Sequence, residues 1–310
     1  MPAVTVVGSL NLDLVVGVTS LPGRGETVVG TSVASLPGGK GANQAAAAAA
    51  LSSSVAMIGR VGDDSSGKLL LDDLRSRGVD VFGVVSCAAP TGTATVAVET
   101  GSGENLIVVA PGANGLVEPA DVTVDAVASA SVLLAQLEIP LDAVTAAVSH
   151  AGGRVVLNPA PPPGELPAEL LARVDVLVPN EWELLRLAGA TSSDGSPETL
   201  AELARSVTGS DVVVTLGERG ALIVPAAGAW TLVPAPAVSV MDTTGAGDCF
   251  CGALCVALAG GATLAEAVTY AATAAALSTT GPGARGGLPS DTAVRAALDT
   301  RAAARRRPRS

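Results

Sequence analysis

Aromatic side chains are scarce in this chain: among 310 residues there are two Phe, two Trp and one Tyr. That argues against a surface of stacking platforms for nucleic-acid bases and leaves Ala, Val and Leu to fill the interior. Lysine is nearly missing as well, two residues against sixteen arginines. Five of those arginines (Arg301, Arg305, Arg306, Arg307, Arg309) sit in the last ten residues, so the first 300 residues hold 13 basic against 29 acidic side chains, a net charge of −16. A body this acidic argues against a broad nucleic-acid or anionic-membrane surface. Residues 301–310 read as a solvated, disordered tail. One histidine and four cysteines (Cys87, Cys249, Cys251, Cys255) are too few for a zinc site or a disulfide frame in a chain of this size. The cysteines read as small buried side chains of a cytoplasmic protein. Long apolar runs are lacking too. Cys249–Gly261 is too short to span a bilayer, and the first apolar run is broken by Asn11 and Asp13 with no basic stretch before it.

What is present is a rhythm. With 48% apolar and only 15% charged residues, the chain is a folded one. Short β-branched runs (Ala3–Gly8, Val55–Arg60, Ser131–Gln136, Arg154–Asn158, Asp175–Pro179, Asp211–Leu216) alternate with Ala/Leu-rich stretches at about 40–51, 64–77, 141–150, 180–188, 197–207, 246–260, 263–279 and 290–304. The runs are apolar throughout, as strands buried on both faces are, which predicts an α/β fold: a three-layer, mostly parallel sheet covered by helices. Asp13–Ser35 and Thr91–Val109 instead alternate apolar with polar, and suit a small antiparallel β lid inserted into one domain of residues 1–300.

Several motifs resemble chemistry without carrying it. Gly62-Asp63-Asp64-Ser65-Ser66-Gly67-Lys68-Leu69 nearly matches a P-loop, but Leu69 replaces the hydroxyl that would hold Mg²⁺ and two aspartates would repel a triphosphate. It reads as a turn and helix cap. Gly281-x-Gly283-x-x-Gly286 follows a helix and opens no βαβ unit, so it is no dinucleotide fingerprint. His150 falls at a helix C-terminus, where its charge complements the dipole, and no Gly-x-Ser-x-Gly elbow accompanies it.

Four constellations remain. Asp242-Thr243-Thr244-Gly245-Ala246-Gly247-Asp248 follows a strand-like Val238–Met241 and opens an apolar helix. Small residues let successive N–H groups face one spot, which at a helix N-terminus favours an anion. A carboxylate beside such a hole makes sense if Asp248 takes a proton from a hydroxyl while the hole holds a transferring phosphoryl group. An ordinary capped helix after a glycine turn would look the same. Pro37-Gly38-Gly39-Lys40-Gly41-Ala42-Asn43-Gln44 enters another helix, with Lys40 and Asn43 on one face of its first turn. Asn11-x-Asp13, at the carboxyl end of the first strand, puts two polyol-binding side chains on one face; solvated loop residues are the alternative. Asn180-Glu181-Trp182-Glu183 and Thr215–Gly220 follow buried strands on the same rim, and Glu183 suits Mg²⁺ held through water.

Taken together, these motifs, with Asn158-Pro159-Ala160, occur in an order that resembles the PfkB family of sugar kinases, and within it the branch acting on ribose. The resemblance runs from residue 4 to about 289 and implies the ribokinase-like fold. It implies sugar binding by Asn11, Asp13, Gly39, Lys40, Asn43 and Glu138, with Asp248 as catalytic base and Gly245, Ala246 and Gly247 as the anion hole. Asn180, Thr215, Leu216, Gly217, Glu218, Arg219 and Gly220 would meet ATP, along with Gly247, and Glu183 would lie near Mg²⁺. An activating K⁺ would sit on Asp242, Thr244, Ser278, Gly281, Gly283 and Gly287. Two positions depart from the pattern: Ala272 replaces an Asn or His near adenine, and Gly287 a frequent serine. The implied reaction is ATP-dependent phosphorylation of D-ribose at O5, in a homodimer joined through the lid. Sibling kinases for deoxyribose, fructose or a nucleoside, and a silent sugar sensor on the same fold, are the alternatives. A lid without Phe, Tyr or Trp speaks against a nucleoside, and a retained Asp248 against a sensor.

Overall fold

The structure, a computed structural model, describes residues 2–52 and 54–306. Thirteen strands are present among them: β1 (Val4–Val7), β2 (Asn11–Val18), β3 (Gly30–Gly38), β4 (Val55–Gly62), β5 (Asp80–Cys87), β6 (Gly92–Glu99), β7 (Asn105–Ala110), β8 (Val132–Ala135), β9 (Arg154–Leu157), β10 (Val176–Leu177), β11 (Asp211–Thr215), β12 (Ala221–Val224) and β13 (Thr231–Val233). Nine form one sheet in the order β13-β12-β11-β10-β9-β8-β1-β4-β5. Its strands run parallel from β5 to β11, and β12 and β13 turn back antiparallel at one edge. The longer helices are α1 (Lys40–Leu51), α2 (Ser65–Ser76), α3 (Leu141–His150), α4 (Glu181–Leu187), α5 (Pro197–Val207), α6 (Ala246–Ala259), α7 (Leu264–Ser278) and α8 (Asp291–Arg306).

The uniformly apolar strands are buried on both faces because successive residues feed two cores. Val4, Val6, Leu134, Val156 and Val213 pack with α1, α6 and α7 on one face. Val7, Leu133, Leu157, Val212 and Val214 pack with α3 and α5 on the other. Each buried Val or Leu side chain contributes about 1.5–3 kcal/mol. The alanine run of α1 and Gly252 of α6 let those two helices touch: a Cβ at Gly252 would lie 2.7 Å from the Gln44 carbonyl oxygen. That close approach brings the α1 and α6 N-termini together.

The alternating stretches form a separate small sheet in the order β3-β2-β6-β7. Two antiparallel pairs, β2–β3 and β6–β7, meet along a parallel seam between β2 and β6. The P-loop-like segment is the cap it was expected to be, with Asp64 accepting from the Gly67 N–H at 2.8 Å. Three readings are corrected. Val238–Met241 forms no strand, and Val240 and Met241 lie exposed. Asn11 and Asp13 open lid strand β2 instead of ending β1. Helix α8 continues to Arg306, into the segment expected to be disordered, while Arg307 and Arg309 lie outside the described residues. Among the described residues no helix is long and apolar enough to cross a membrane.

Candidate active site

Asp248 stands in the first turn of α6, whose cap is Gly245 in the left-handed region at φ 73°. A side chain at Gly245 would be strained by that φ and would also meet Ala284, whose Cα would lie 2.8 Å from the added Cβ. The first-turn N–H groups of Gly247 and Asp248 have no intrahelical acceptor, and nothing lies within 4 Å of a Cβ built on Gly247. The sequence thus leaves both an orphan-donor nest and the room in front of it.

Two amides hold the carboxylate. Asn43 Nδ2 donates to Asp248 Oδ2 at 3.2 Å, and Gln44 Nε2 donates to Oδ1 at 3.0 Å. Gln44 is itself fixed, because its Oε1 accepts from Gln136 Nε2 at 2.6 Å and its Nε2 also reaches Asn158 Oδ1 at 3.1 Å. Asn158 Nδ2 in turn donates to the Val178 carbonyl at 2.9 Å. Burial raises the Asp248 pKa, opposed by the Lys40 charge and the two amide bonds, while Glu138 adds to the rise. At Lys40, burial works against the ammonium, but Asp248, Glu138 and Glu183 outweigh it and the pKa rises. The pair therefore sets a charged lysine opposite a carboxylate with a strengthened hold on its proton.

The residues expected to bind sugar lie around the same helix start, with Glu138 bonded to the Lys40 N–H and Asn43 to Asp248. Glu138 Oε2 accepts from Ser9 Oγ at 2.5 Å and from the Lys40 backbone N–H at 3.1 Å. Asn11 Oδ1 accepts from Asn114 Nδ2 at 2.7 Å, which leaves the Asn11 amide group to donate. The Asp13 carboxylate lies under Gly38, where an added Cβ would fall 2.0 Å from Oδ2. Burial, with Glu138 beside it, pushes the Asp13 pKa up to about 6, against the pull of Arg285.

A crevice opens beside this cluster, lined by Lys40, Asn158, Asn180, Glu183, Thr215, Gly245, Ala246, Gly247 and Asp248, with Thr243, Val178 and Cys251, while Asn11, Asp13, Asn43 and Glu138 stand outside its lining. Asn180 and Glu183 form a reciprocal cap on α4: Asn180 Oδ1 accepts the Glu183 N–H and Glu183 Oε2 the Asn180 N–H, each at 2.8 Å. Burial raises the Glu183 pKa, opposed by the Asn180 N–H bond and by Lys40, so a cation nearby would be welcome. Only Thr215 of the 215–220 turn reaches the crevice; Leu216 is buried and Glu218 exposed. Arg219 is ion-paired to Glu181 and donates to the Gly195 carbonyl at 2.8 Å, stapling the turn to α4.

Asp242 Oδ2 accepts the Gly283 N–H at 2.8 Å and Oδ1 the Thr244 N–H at 2.9 Å, bonds that lower its pKa despite partial burial. A Cβ at Gly287 would lie 2.0 Å from the Ser278 carbonyl oxygen, so the 281–287 loop folds onto the end of α7. The Asp242–Thr244 segment is thereby tied to the Gly283 end of that loop, while Gly281 and Gly287 lie against each other beside Ser278. Ala272 is buried in α7.

Sequence reasoning missed Gln44, Gln136 and Arg285. The signal was available for the first two: each is a polar side chain in an otherwise apolar, fully buried stretch, and buried polar groups need partners. Arg285 was hidden inside a loop read for its glycines.

Residues 1–291 match the family model described as pfkB family carbohydrate kinase. The chain is 36% identical to the ribokinase of Bacillus subtilis over 294 residues, covering 93% of this chain and 97% of that one. It is 33% identical to the deoxyribokinase of Salmonella typhi over 303 residues, covering 93% and 95%. The structure of the Arabidopsis thaliana ribokinase complexed with ribose and ATP superposes with a TM-score of 0.83 at 34% identity, covering 96% of this chain and 98% of that one.

Proposed function

The chain belongs to the pfkB family of carbohydrate kinases, and from its crevice we propose that it phosphorylates D-ribose at O5, converting D-ribose and MgATP to D-ribose 5-phosphate and ADP. The observation that carries the proposal is the Asp248 carboxylate, clamped by Asn43 and Gln44 beside a helix N-terminus with unoccupied space in front of it.

In this reading Asn11, Asp13, Lys40, Asn43 and Glu138 orient the sugar so that its primary hydroxyl meets Asp248. The amides hold one carboxylate geometry, and the raised pKa brings the base nearer neutrality, where general-base transfer is effective. Asp248 accepts the hydroxyl proton as the oxygen attacks the γ-phosphorus in line. The free N–H groups at the α6 N-terminus receive the charge that develops on the phosphoryl oxygens. Because that transition state is loose, positioning and charge neutralisation account for most of the acceleration. Asn180 and the 215–220 turn flank the nucleotide.

Glu183 would hold Mg²⁺ through water, and the ion brings charge neutralisation of the phosphates. Asp242, Thr244, Ser278, Gly281, Gly283 and Gly287 would hold K⁺, whose charge would favour anion binding at the α6 N-terminus. We also place the protein in the cytoplasm, which its free thiols suit, as a homodimer joined through the lid.

Deoxyribose is the second sugar to weigh, since a deoxyribokinase is among the relatives. The buried polar set around Asp13 favours ribose, because a site built around a hydroxyl rejects its absence by on the order of 10⁴. An ADP-release assay across pentoses, hexoses and nucleosides tests this, with ribose expected to lead; equal kcat/KM for ribose and 2-deoxyribose would overturn the assignment. Asp248→Asn separates enzyme from sensor. Turnover should fall by about 10²–10⁴, with calorimetric ribose binding largely kept. Wild-type turnover in the variant would remove Asp248 from the mechanism.

A further inference from the structure

Arg285 lies in the 281–287 loop, only 9% exposed, and its guanidinium reaches three separate elements. Nε donates to Asn43 Oδ1 at 2.9 Å on α1, Nη2 donates to the Gly38 carbonyl at 3.3 Å at the end of lid strand β3, and Nη1 is paired with Asp73 on α2. Asp73 also holds Arg77 at 3.0 Å, so the ion pair alone has a second cation. The loop is pinned from the other side by the Gly283 N–H on Asp242.

The contact with Asn43 has a chemical consequence. A guanidinium donates hydrogen bonds and accepts none, so Asn43 can meet it only with its oxygen. The Asn43 NH₂ group is then forced toward Asp248 Oδ2. In the flipped orientation an N–H would face the guanidinium and an oxygen the carboxylate, repulsive at both ends. We propose that Arg285 is a positioning residue: by fixing the Asn43 amide it holds the Asp248 carboxylate in register, and by the same guanidinium it ties that amide to the lid hinge at Gly38. The inference rests on Asp248 being the base.

Two conservative variants split this role from plain stability. Gln places its Nε2 at the same bond count from the backbone as Arg Nε, so Arg285→Gln keeps a donor for Asn43 but loses the ion pair with Asp73. Lys has a carbon at that position, so Arg285→Lys keeps the charge for Asp73 but offers Asn43 nothing. Arg285→Lys should therefore lower kcat about 10- to 100-fold, the scale set by a small misplacement of a catalytic group, with a melting temperature lowered no more than by Arg285→Gln and an unchanged KM for MgATP. Arg285→Gln should melt lower while keeping kcat within about threefold, too small a change for a lost catalytic contact. In an Asn43→Ala background the Lys substitution should have no further effect on kcat. A Lys variant at wild-type kcat, or losses that multiply in the double variant, would overturn the role for Arg285 while leaving Asp248 as base. Wild-type turnover by Asp248→Asn would overturn the underlying reading instead.

Discussion

The protonation of Asp13 links the sugar site to stability. Its pKa of about 6 in the fold stands above the roughly 3.9 of an unfolded chain. Between those values the native state binds more protons than the unfolded one, so this group's contribution is complete below about pH 4 and is lost as pH rises through 6. Asp13→Asn is therefore expected to melt above the wild type at pH 8, with the gap closing by about pH 4, while ribose affinity falls. A gap that widens toward acid would mean that the carboxylate is stabilised, not strained, by its surroundings. Gly247 offers the complementary case. It is exposed, its φ is not positive, and nothing lies within 4 Å of an added Cβ, so Ala fits the protein and improves a helical position by at most about 1 kcal/mol. The same methyl would intrude on the place proposed for the phosphoryl group. Gly247→Ala should hold or raise the melting temperature while kcat/KM for MgATP drops by about tenfold or more, as it does when an anion-hole contact is lost. Full activity in that variant would move the anion hole elsewhere. At this scale Asp248, Lys40 and Asn43 were legible because they stand beside glycines at helix starts. Arg285 was not, since it sits in a loop read for its glycines, and Gln44 was passed over although a polar side chain in a buried alanine helix is itself a signal.

Helices were legible almost to the residue, because caps and apolar periodicity act locally: 40–51, 141–150 and 197–207 match α1, α3 and α5. Strands were harder. β5 is an exposed edge strand whose Phe82 is 97% exposed, and β13 at the far edge is exposed at two of its three residues, so neither carries the pattern of a strand buried on both faces, while β12 is buried throughout but only four residues long. The lid shows alternation with little burial: β7 is exposed along its whole length and β3 along most of it. Its outer strands β3 and β7 present Val33, Ile107 and Val108, at 69%, 56% and 60% exposure, beside unpaired backbone edges. Natural proteins rarely leave such edges bare. Sedimentation equilibrium should therefore give twice the 30.1 kDa chain mass, and Val33→Lys with Ile107→Lys should return it to a single chain. A wild type that sediments at one chain mass at micromolar concentration would rule out the lid as the interface.

The crevice lies where the carboxyl ends of the parallel strands, the lid hinge and two helix N-termini meet, which is where open α/β sheets bind ligands. That convergence was readable from the order of the motifs, but the depth of charge around it needs the fold. Asp13, Glu138, Glu183 and Asp248 influence one another across the site, against Lys40 and Arg285 alone. The chain as a whole carries −11. MgATP is an anion, so it approaches a protein of like charge, whereas ribose is neutral. Raising ionic strength shortens the Debye length to about 8 Å at 0.15 M and weakens that long-range repulsion more than the close contacts inside the crevice. With K⁺ held constant and choline chloride varied, kcat/KM for MgATP should rise a few-fold from low to physiological ionic strength, and kcat/KM for ribose at saturating MgATP should stay level. The neutral substrate serves as the internal control, because a salt effect on folding or on the base would move both. A fall in kcat/KM for MgATP would mean that the local field of Lys40 and the α6 N-terminus, not the acidic body, governs the approach of the nucleotide.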